Sequence, residues 1–157
     1  MTVRTFTSVD EFCAIAGDEI GVSPWHRITQ HDIDLFAEST GDYNWIHVDR
    51  DRAANGPYGS TIAHGYLTLS LVPKLLTHIF EIRQLVRSLN YGAERIRFPS
   101  PVQVDSSVRA KARLTLATRR DEAWLATIET VVEIAGEPKP ACIASTITWL
   151  VGREVVN

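Results

Sequence analysis

Asp42 and His47 are the two residues whose types and spacing are best suited to proton transfer. They lie in the segment GDYNWIH (41–47), directly after a glycine that is expected to end a helix. Their separation exceeds one helical turn, so a turn leaving the helix must bring the two side chains together. A carboxylate and an imidazole in one small pocket could take up a proton and return it. On spacing alone, an ordinary surface pair is the more common explanation.

The element that must position Asp42 is a predicted helix over 29–40. Thr29 and Asp32 have the types and spacing of a capping box at its start, and apolar residues recur along one face. Gly41 suits the left-handed residue that commonly follows a helix. We therefore expect a rigid element to hold Asp42.

A second segment, STIAHG (60–65), precedes the apolar run YLTLSLV (66–72). This run predicts a helix that begins at Gly65, is buried on all sides and is interrupted at Pro73, and it is too short to cross a bilayer. Ser60 or Thr61 is expected to cap it. The backbone N–H groups at its start could stabilise a carbonyl oxygen that gains negative charge, although helix starts are common.

The rest of the sequence predicts short helices and long strands. We expect helices over 12–16 and 49–54 and strands over 20–28, 85–98, 108–116, 124–134 and 141–151. In the 108–116 strand, the apolar residues from Val108 through Leu116 alternate with polar ones and should share one face. The last strand is apolar on both faces, so it should be central and covered above and below, with a second copy on the free face. The order favours an α+β fold, an antiparallel sheet wrapped around the Gly65 helix, in one domain over 1–157.

Composition excludes several classes of protein. A net charge of −3 without a basic stripe argues against nucleic-acid binding, and neither a signal peptide nor a membrane segment is evident. Cys13 and Cys142 lie in apolar surroundings, which is typical of buried thiols in the cytoplasm. The five histidines form no HxH or HExxH pattern, so no metal site is expected.

Three blocks of sequence together resemble the MaoC-like, (R)-specific enoyl-CoA hydratases. GDYNWIH is similar to their G-D-x-N-P-[hydrophobic]-H signature, TIAHGY (61–66) to the A-H-G segment opening their central helix, and the stretch 90–102 to the strand and RF-x-x-P-V region of the NodN-like branch. The resemblance spans about 21–151. It implies a hotdog fold and a homodimer with a sheet continuous across the interface.

The resemblance also implies a reaction, in which water adds syn to a trans-2-enoyl thioester to give an (R)-3-hydroxyacyl thioester. Asp42 and His47 match the catalytic pair and Gly65 the oxyanion contact, without a choice of acid and base. Asn44, Ala63, His64 and Arg97 are carried over as substrate-binding candidates. Coenzyme A or an acyl carrier protein would carry the acyl group, and no cofactor is implied.

Several of these residues have structural alternatives. Trp45 replaces the usual proline and could either anchor the turn or narrow the pocket. Asn44 could hold the turn or bind the reacting water, and His64 could be structural or touch substrate. Ser60 or Thr61 could meet the pantetheine arm, while Arg95 and Arg97 could bind coenzyme A phosphates or coat a strand.

Two other functions remain open. A hotdog thioesterase would direct water at the carbonyl carbon and release a thiol. A binding protein without turnover would bind acyl thioesters whether or not Asp42 is ionisable.

Overall fold

The protein is described here by a computed structural model that covers residues 2–153. Its helices are α1 (Val9–Ala14), α2 (Gln30–Thr40), α3 (Trp45–Val48), α4 (Arg50–Ala54), α5 (Gly65–Ser70) and α6 (Val72–Thr77). Its strands are β1 (Arg4–Phe6), β2 (Glu19–Val22), β3 (His26–Arg27), β4 (Phe80–Ile82), β5 (Leu85–Arg97), β6 (Ser107–Arg120), β7 (Ala123–Ile134) and β8 (Cys142–Gly152). No helix within 2–153 is both long and apolar enough to cross a membrane.

The main sheet is antiparallel and has the strand order β2-β6-β7-β8-β5, with β3 also paired to β6. Strands β1 and β4 form a separate parallel pair. Helix α5 packs on β8 and α6 on β6, so both helices lie on one face of the sheet. That inner face is apolar on β6 and mostly apolar on β7, and its buried side chains form the core with Leu67, Val72 and Leu75 of the helices. The predicted α+β arrangement is confirmed.

Five details of the sequence prediction were wrong. The central helix is two helices, because Pro73 takes the second position of α6, where its missing N–H costs no hydrogen bond. It is not buried on all sides, since Tyr66 is 67% exposed. The first helix begins at Val9 and ends at Ala14. The strand expected over 20–28 is two short strands, and the turn after Asn44 contains the unpredicted helix α3.

A bulge in β6 changes which face Leu116 occupies. The pairing of β6 with β7 shifts register between Leu114 and Leu116. One extra residue reverses the alternation of faces, so Leu114 is fully buried whereas Leu116 is 55% exposed. The prediction that both residues share the buried face was therefore wrong, because alternation alone cannot reveal a bulge.

Strand β8 lies in the interior of the sheet, between β7 and β5, as its apolar character predicts. Its outer face, which includes Ile147 and Trp149, is only half-buried, so the predicted cover on both faces is absent from this single chain. Cys13 and Cys142 are buried free thiols, and burial raises their pKa values to about 12 and about 11. The thiol prediction is confirmed.

A substitution at Gly41 tests whether its left-handed conformation is needed to end α2 directly before Asp42. It has a left-handed φ of 76°, and a Cβ added there would meet nothing within 4 Å. We expect Gly41→Ala to lower the free energy of unfolding by roughly 1–2 kcal/mol, from backbone conformation alone. Gly92→Ala is the matched control, because Gly92 also has open space but no positive φ. Equal midpoints in urea unfolding for the two variants would contradict the role of Gly41.

Candidate active site

Helix α2 brings the chain to Asp42. Its start is a capping box, in which the Thr29 side chain accepts a hydrogen bond from Asp32 N and the Asp32 carboxylate accepts one from Thr29 N. Its end is closed by Gly41, whose N–H donates to Ala37 O at 2.8 Å. Both features confirm the prediction. The Asp42 side chain, 57% exposed, follows immediately.

Asn44 shapes the turn between Asp42 and His47. Its side chain caps α3 by accepting a long bond from Ile46 N at 3.4 Å, and its backbone N–H donates to Asp42 Oδ1 at 3.3 Å. The His47 N–H donates to Asn44 O at 2.9 Å. These contacts correspond to the turn-holding alternative for Asn44.

Trp45 anchors the same turn on α4. The Arg52 guanidinium lies 4.3 Å from its ring centroid, and the ring would be 3.1 Å from a Cβ added to Gly56. Placed against α4, the ring is half-buried. These contacts correspond to the anchoring alternative for Trp45.

The orientation of His47 is set by the chain segment that leads to α5. Its Nδ1 lies 2.7 Å from Ile62 O, and since a carbonyl only accepts, Nδ1 carries the proton. The Nε2 lone pair is then free to act as a base. Burial lowers the pKa of the imidazole below its usual 6.5; the bond to Ile62 opposes that lowering, and His64 adds to it. His47 is therefore neutral at neutral pH.

His64 makes the corresponding contact in the opposite direction, from the segment before α5 to the turn that contains Asp42. Its Nε2 lies 3.0 Å from Asp42 O, so this nitrogen donates to the backbone carbonyl of the turn that carries Asp42. The ring is 3% exposed and is stacked on His47, with centroids 3.7 Å apart and planes at 26°. Within residues 2–153 its Nδ1 has no hydrogen-bond partner. This geometry corresponds to the structural alternative for His64, and its contact with substrate stays a prediction.

Gln30 supports the site and was missed in the sequence. Its Nε2 donates to His47 O at 2.8 Å, and its Oε1 accepts from the Thr61 hydroxyl. The same amide also donates to Asp34 Oδ1 at 2.8 Å. One buried side chain thus joins α2, α3 and the segment before α5. Nothing in the sequence distinguishes Gln30 from an ordinary residue in a first helical turn.

Gly65 is the first residue of α5, where a backbone N–H has no partner within the helix. The Phe98 ring lies over it, 3.0 Å from where a Cβ would be, so a side chain at this position would displace the ring. The residue before it, His64, is the cap and supplies no side-chain bond. The prediction that Ser60 or Thr61 caps this helix was wrong, because their hydroxyls donate to Thr61 O and Gln30 Oε1.

Two predicted substrate contacts lie at the margin of this arrangement. Ala63 is buried, and its N–H donates to Val102 O at 2.7 Å, which fixes the backbone before α5. Arg97 ends β5, beside Phe98, with an exposed side chain that donates to Ile96 O at 2.7 Å. Their contact with substrate stays a prediction.

A family model described as the MaoC like domain matches residues 11–134. The chain belongs to the MaoC-like dehydratase family. It is 46% identical over 146 residues to 3-hydroxyacyl-thioester dehydratase Z of Mycobacterium tuberculosis (strain CDC 1551 / Oshkosh), a match that covers 92% of this chain and 97% of the relative. It is 44% identical over 135 residues to Nodulation protein N of Rhizobium leguminosarum bv. viciae, covering 84% of each.

Solved structures of the family agree with the fold. The (R)-hydratase from A. caviae involved in PHA biosynthesis superposes with a TM-score of 0.64 at 26% identity, over 81% of this chain and 94% of that one. The hotdog fold expected from the sequence blocks is therefore confirmed for this MaoC-like protein, as is the likeness to its NodN branch.

The side chains of Asp42, His47 and His64 lie close enough together to be considered as a metal site. One nitrogen or oxygen each from Asp42, His47 and His64 lie within 4.8 Å of one another. The fit is poor, because His47 Nδ1 and His64 Nε2 already bond backbone carbonyls and His64 Nδ1 is buried. The arrangement suits a proton relay better than a cation.

The Gln30 network predicts a loss of stability on mutation. Gln30→Leu leaves the His47 carbonyl and the Thr61 hydroxyl buried without this partner, so we expect the free energy of unfolding to fall by about 2–6 kcal/mol, the sum for two buried unsatisfied groups. Gln103→Leu is the matched control: Gln103 Nε2 donates to Tyr58 O, but in an exposed position where water replaces it. Urea unfolding of both variants checks this, and similar losses would contradict it.

Burial of neutral His47 predicts a dependence of stability on pH. Because the folded pKa is lowered, the unfolded chain takes up the proton first as pH falls through about 6.5. The contribution of neutral His47 to the free energy of unfolding is therefore present above about pH 6.5 and is lost as the pH falls below it. His26 contributes in the same direction, since burial and Lys74 lower its pKa. We expect His47→Asn to lose less unfolding free energy between about pH 7.5 and pH 5.5 than wild type; an unchanged slope would contradict this.

Proposed function

We propose that this protein is a hydro-lyase that adds water to trans-2-enoyl thioesters, giving (R)-3-hydroxyacyl thioesters, and catalyses the reverse dehydration. The observation that carries the proposal is the proximity of the Asp42 carboxylate to His47, whose neutral ring keeps a free Nε2. The relative named as a 3-hydroxyacyl-thioester dehydratase supports the same reaction class.

The chemistry requires one water held between the two side chains. As the water oxygen bonds to C3, the Asp42–His47 pair accepts one of its protons. The C2–C3 double bond is consumed, and a proton from the pair is delivered to C2, so the pair ends in its starting protonation state. Two groups this close exchange the proton as a coupled unit, so acid and base roles belong to the pair.

Gly65 would stabilise the charge that moves toward the carbonyl. During attack at C3, electron density shifts through C2 onto the thioester oxygen, which becomes enolate-like. The Gly65 N–H lies at the positive end of α5 and has no intrahelical partner. A preorganised donor of this kind is worth about 2.7–4 kcal/mol in the transition state.

His64 acts in this proposal through Asp42. Its bond to Asp42 O ties the catalytic turn to the residue preceding Gly65. The carboxylate, the imidazole and the oxyanion donor therefore keep fixed relative positions. Such positioning suits a reaction that needs the water, the thioester carbonyl and C2 aligned at once.

The proposal also includes the group that carries the acyl chain and the oligomeric state of the protein. Arg97, and Arg95 on the same strand, are exposed cations that suit the phosphates of coenzyme A or of an acyl carrier protein's prosthetic arm. Strand β5 is a long edge strand with exposed Val86, Leu89 and Tyr91, and such an edge favours pairing with a second copy. We propose a cytoplasmic homodimer joined there.

Hydration of crotonyl-CoA tests the activity. Wild type should consume the enoyl absorbance without releasing free thiol, and Asp42→Asn should lower kcat by about 10²–10⁴, the contribution of one general acid–base group. Asp51→Asn, an exposed carboxylate in α4, is the control that should leave the rate unchanged.

Two other results identify the alternatives. Thiol release at the rate of substrate loss would establish a thioesterase instead. Binding without turnover, unaffected by Asp42→Asn, would establish a binding protein.

A further inference from the structure

The ring of Phe98 lies directly over the first residue of α5. Its Cγ and Cδ2 lie 3.0 Å, and its Cδ1 3.2 Å, from where a Cβ on Gly65 would be. Carbon atoms normally pack about 3.5–4.0 Å apart, so no methyl group fits between this ring and the helix. The next residue of α5, Tyr66, also contacts the ring, with centroids 5.8 Å apart. Gly65 has no positive φ, so it is space beside the ring, and not backbone conformation, that requires glycine here.

Two prolines restrict the backbone that carries this ring. Phe98 directly follows β5, which ends at Arg97, and the next residues are Pro99, Ser100 and Pro101. Proline has a fixed φ, and the residue before a proline is held in an extended conformation. Because Phe98 and Ser100 each precede a proline, the backbone from 98 to 101 has little conformational freedom.

The segment after the prolines is tied to the chain just before α5. Ala63 N donates to Val102 O at 2.7 Å, and Val104 N donates to Thr61 O at 2.9 Å. Strand pairing in β5 holds the other end of the segment. The backbone of Phe98 is therefore fixed from both sides, and its ring forms a rigid wall beside the start of α5.

This wall borders the space in front of the Gly65 N–H. In a helix each Cα–Cβ bond tilts toward the N-terminus, and the first N–H groups point toward the same end. The ring that blocks the Cβ position therefore lies beside an oxygen that this N–H binds, about 2.9 Å from the nitrogen. In a thioester, bond lengths of about 1.2 and 1.5 Å put C2 roughly 2.4 Å from the carbonyl oxygen. A substituent on C2 thus enters the space that the ring borders.

We propose that Phe98 determines specificity at C2, and that its ring excludes enoyl thioesters that carry a methyl branch on this carbon. The inference rests on the proposed function, because it takes the thioester carbonyl to bind at Gly65. A C2 methyl group has the bulk of the Cβ that the ring already excludes from Gly65. The substrate class is thus a trans-2-enoyl thioester with hydrogen at C2.

Crotonyl-CoA and its 2-methyl counterpart, tigloyl-CoA, test this specificity. The methyl group also changes intrinsic reactivity, so the quantity compared between proteins is the crotonyl-to-tigloyl ratio of kcat/KM. Phe98→Ala should lower this ratio by about 10- to 200-fold relative to wild type, the discrimination that one extra carbon in a pocket supplies. Phe98→Leu should lower it by a smaller factor, because leucine fills part of the same space.

The control is Trp25→Ala, which removes a ring that is 46% exposed and contacts Arg109 on β6 instead of α5. It should leave the ratio unchanged. Phe98 is itself 39% exposed, and Phe98→Leu keeps an apolar side chain there, so this variant decides the outcome if Phe98→Ala does not fold. A wild-type ratio retained by the folded Phe98 variants overturns the inference, as does an equal change in Trp25→Ala.

A binding arm separates this inference from the proposed function. Affinities for crotonyl-CoA and tigloyl-CoA are measured by calorimetry in Asp42→Asn, with and without Phe98→Ala, because loss of the carboxylate suppresses turnover. A preference for crotonyl-CoA that Phe98→Ala abolishes supports the inference even if wild type hydrates neither thioester, in which case only the hydration proposal fails. If wild type hydrates crotonyl-CoA and the kinetic ratio does not depend on Phe98, the inference is overturned and the hydration proposal stands. Equal affinities in a protein that hydrates neither thioester overturn both.

Discussion

The site depends on a reciprocal exchange of hydrogen bonds between two chain segments. His47 donates from its ring to the carbonyl of Ile62, which lies before α5, and His64 of that second segment donates to the carbonyl of Asp42. The two rings stack between these bonds. Because both rings are buried, each bond is poorly replaced by water, and breaking one would leave a polar group unsatisfied. The turn between Asp42 and His47 and the start of α5 are thereby held together.

This exchange also determines the chemical states of the rings. A neutral imidazole that donates from one ring nitrogen keeps a lone pair on the other. For His47 the free nitrogen is Nε2, the one available to the site. For His64 the other nitrogen is Nδ1, which is buried and has no partner within residues 2–153. Structure and protonation thus support each other, and the same bonds that position the pair keep it ready to accept a proton.

Other parts of the fold hold the residues of this site in place. The capping box and Gly41 orient the approach to Asp42, Trp45 packs on α4, and Gln30 binds the backbone carbonyl of His47. The sheet supports α5 through β8 and α6 through β6.

The sequence by itself determined the family, the fold class and the start and end of α2, because these depend on local patterns: capping pairs, a left-handed glycine and three spaced blocks. It also singled out Asp42, His47 and Gly65. It did not reveal Gln30 or the role of His64, since their partners lie 17 and 22 residues away in the chain. The bulge that exposes Leu116 and the start of a second helix, α6, just before Pro73 likewise escaped it. Those features were decided by tertiary structure, because a buried polar group takes whichever partner the packed chain brings within reach, and local sequence does not specify that partner.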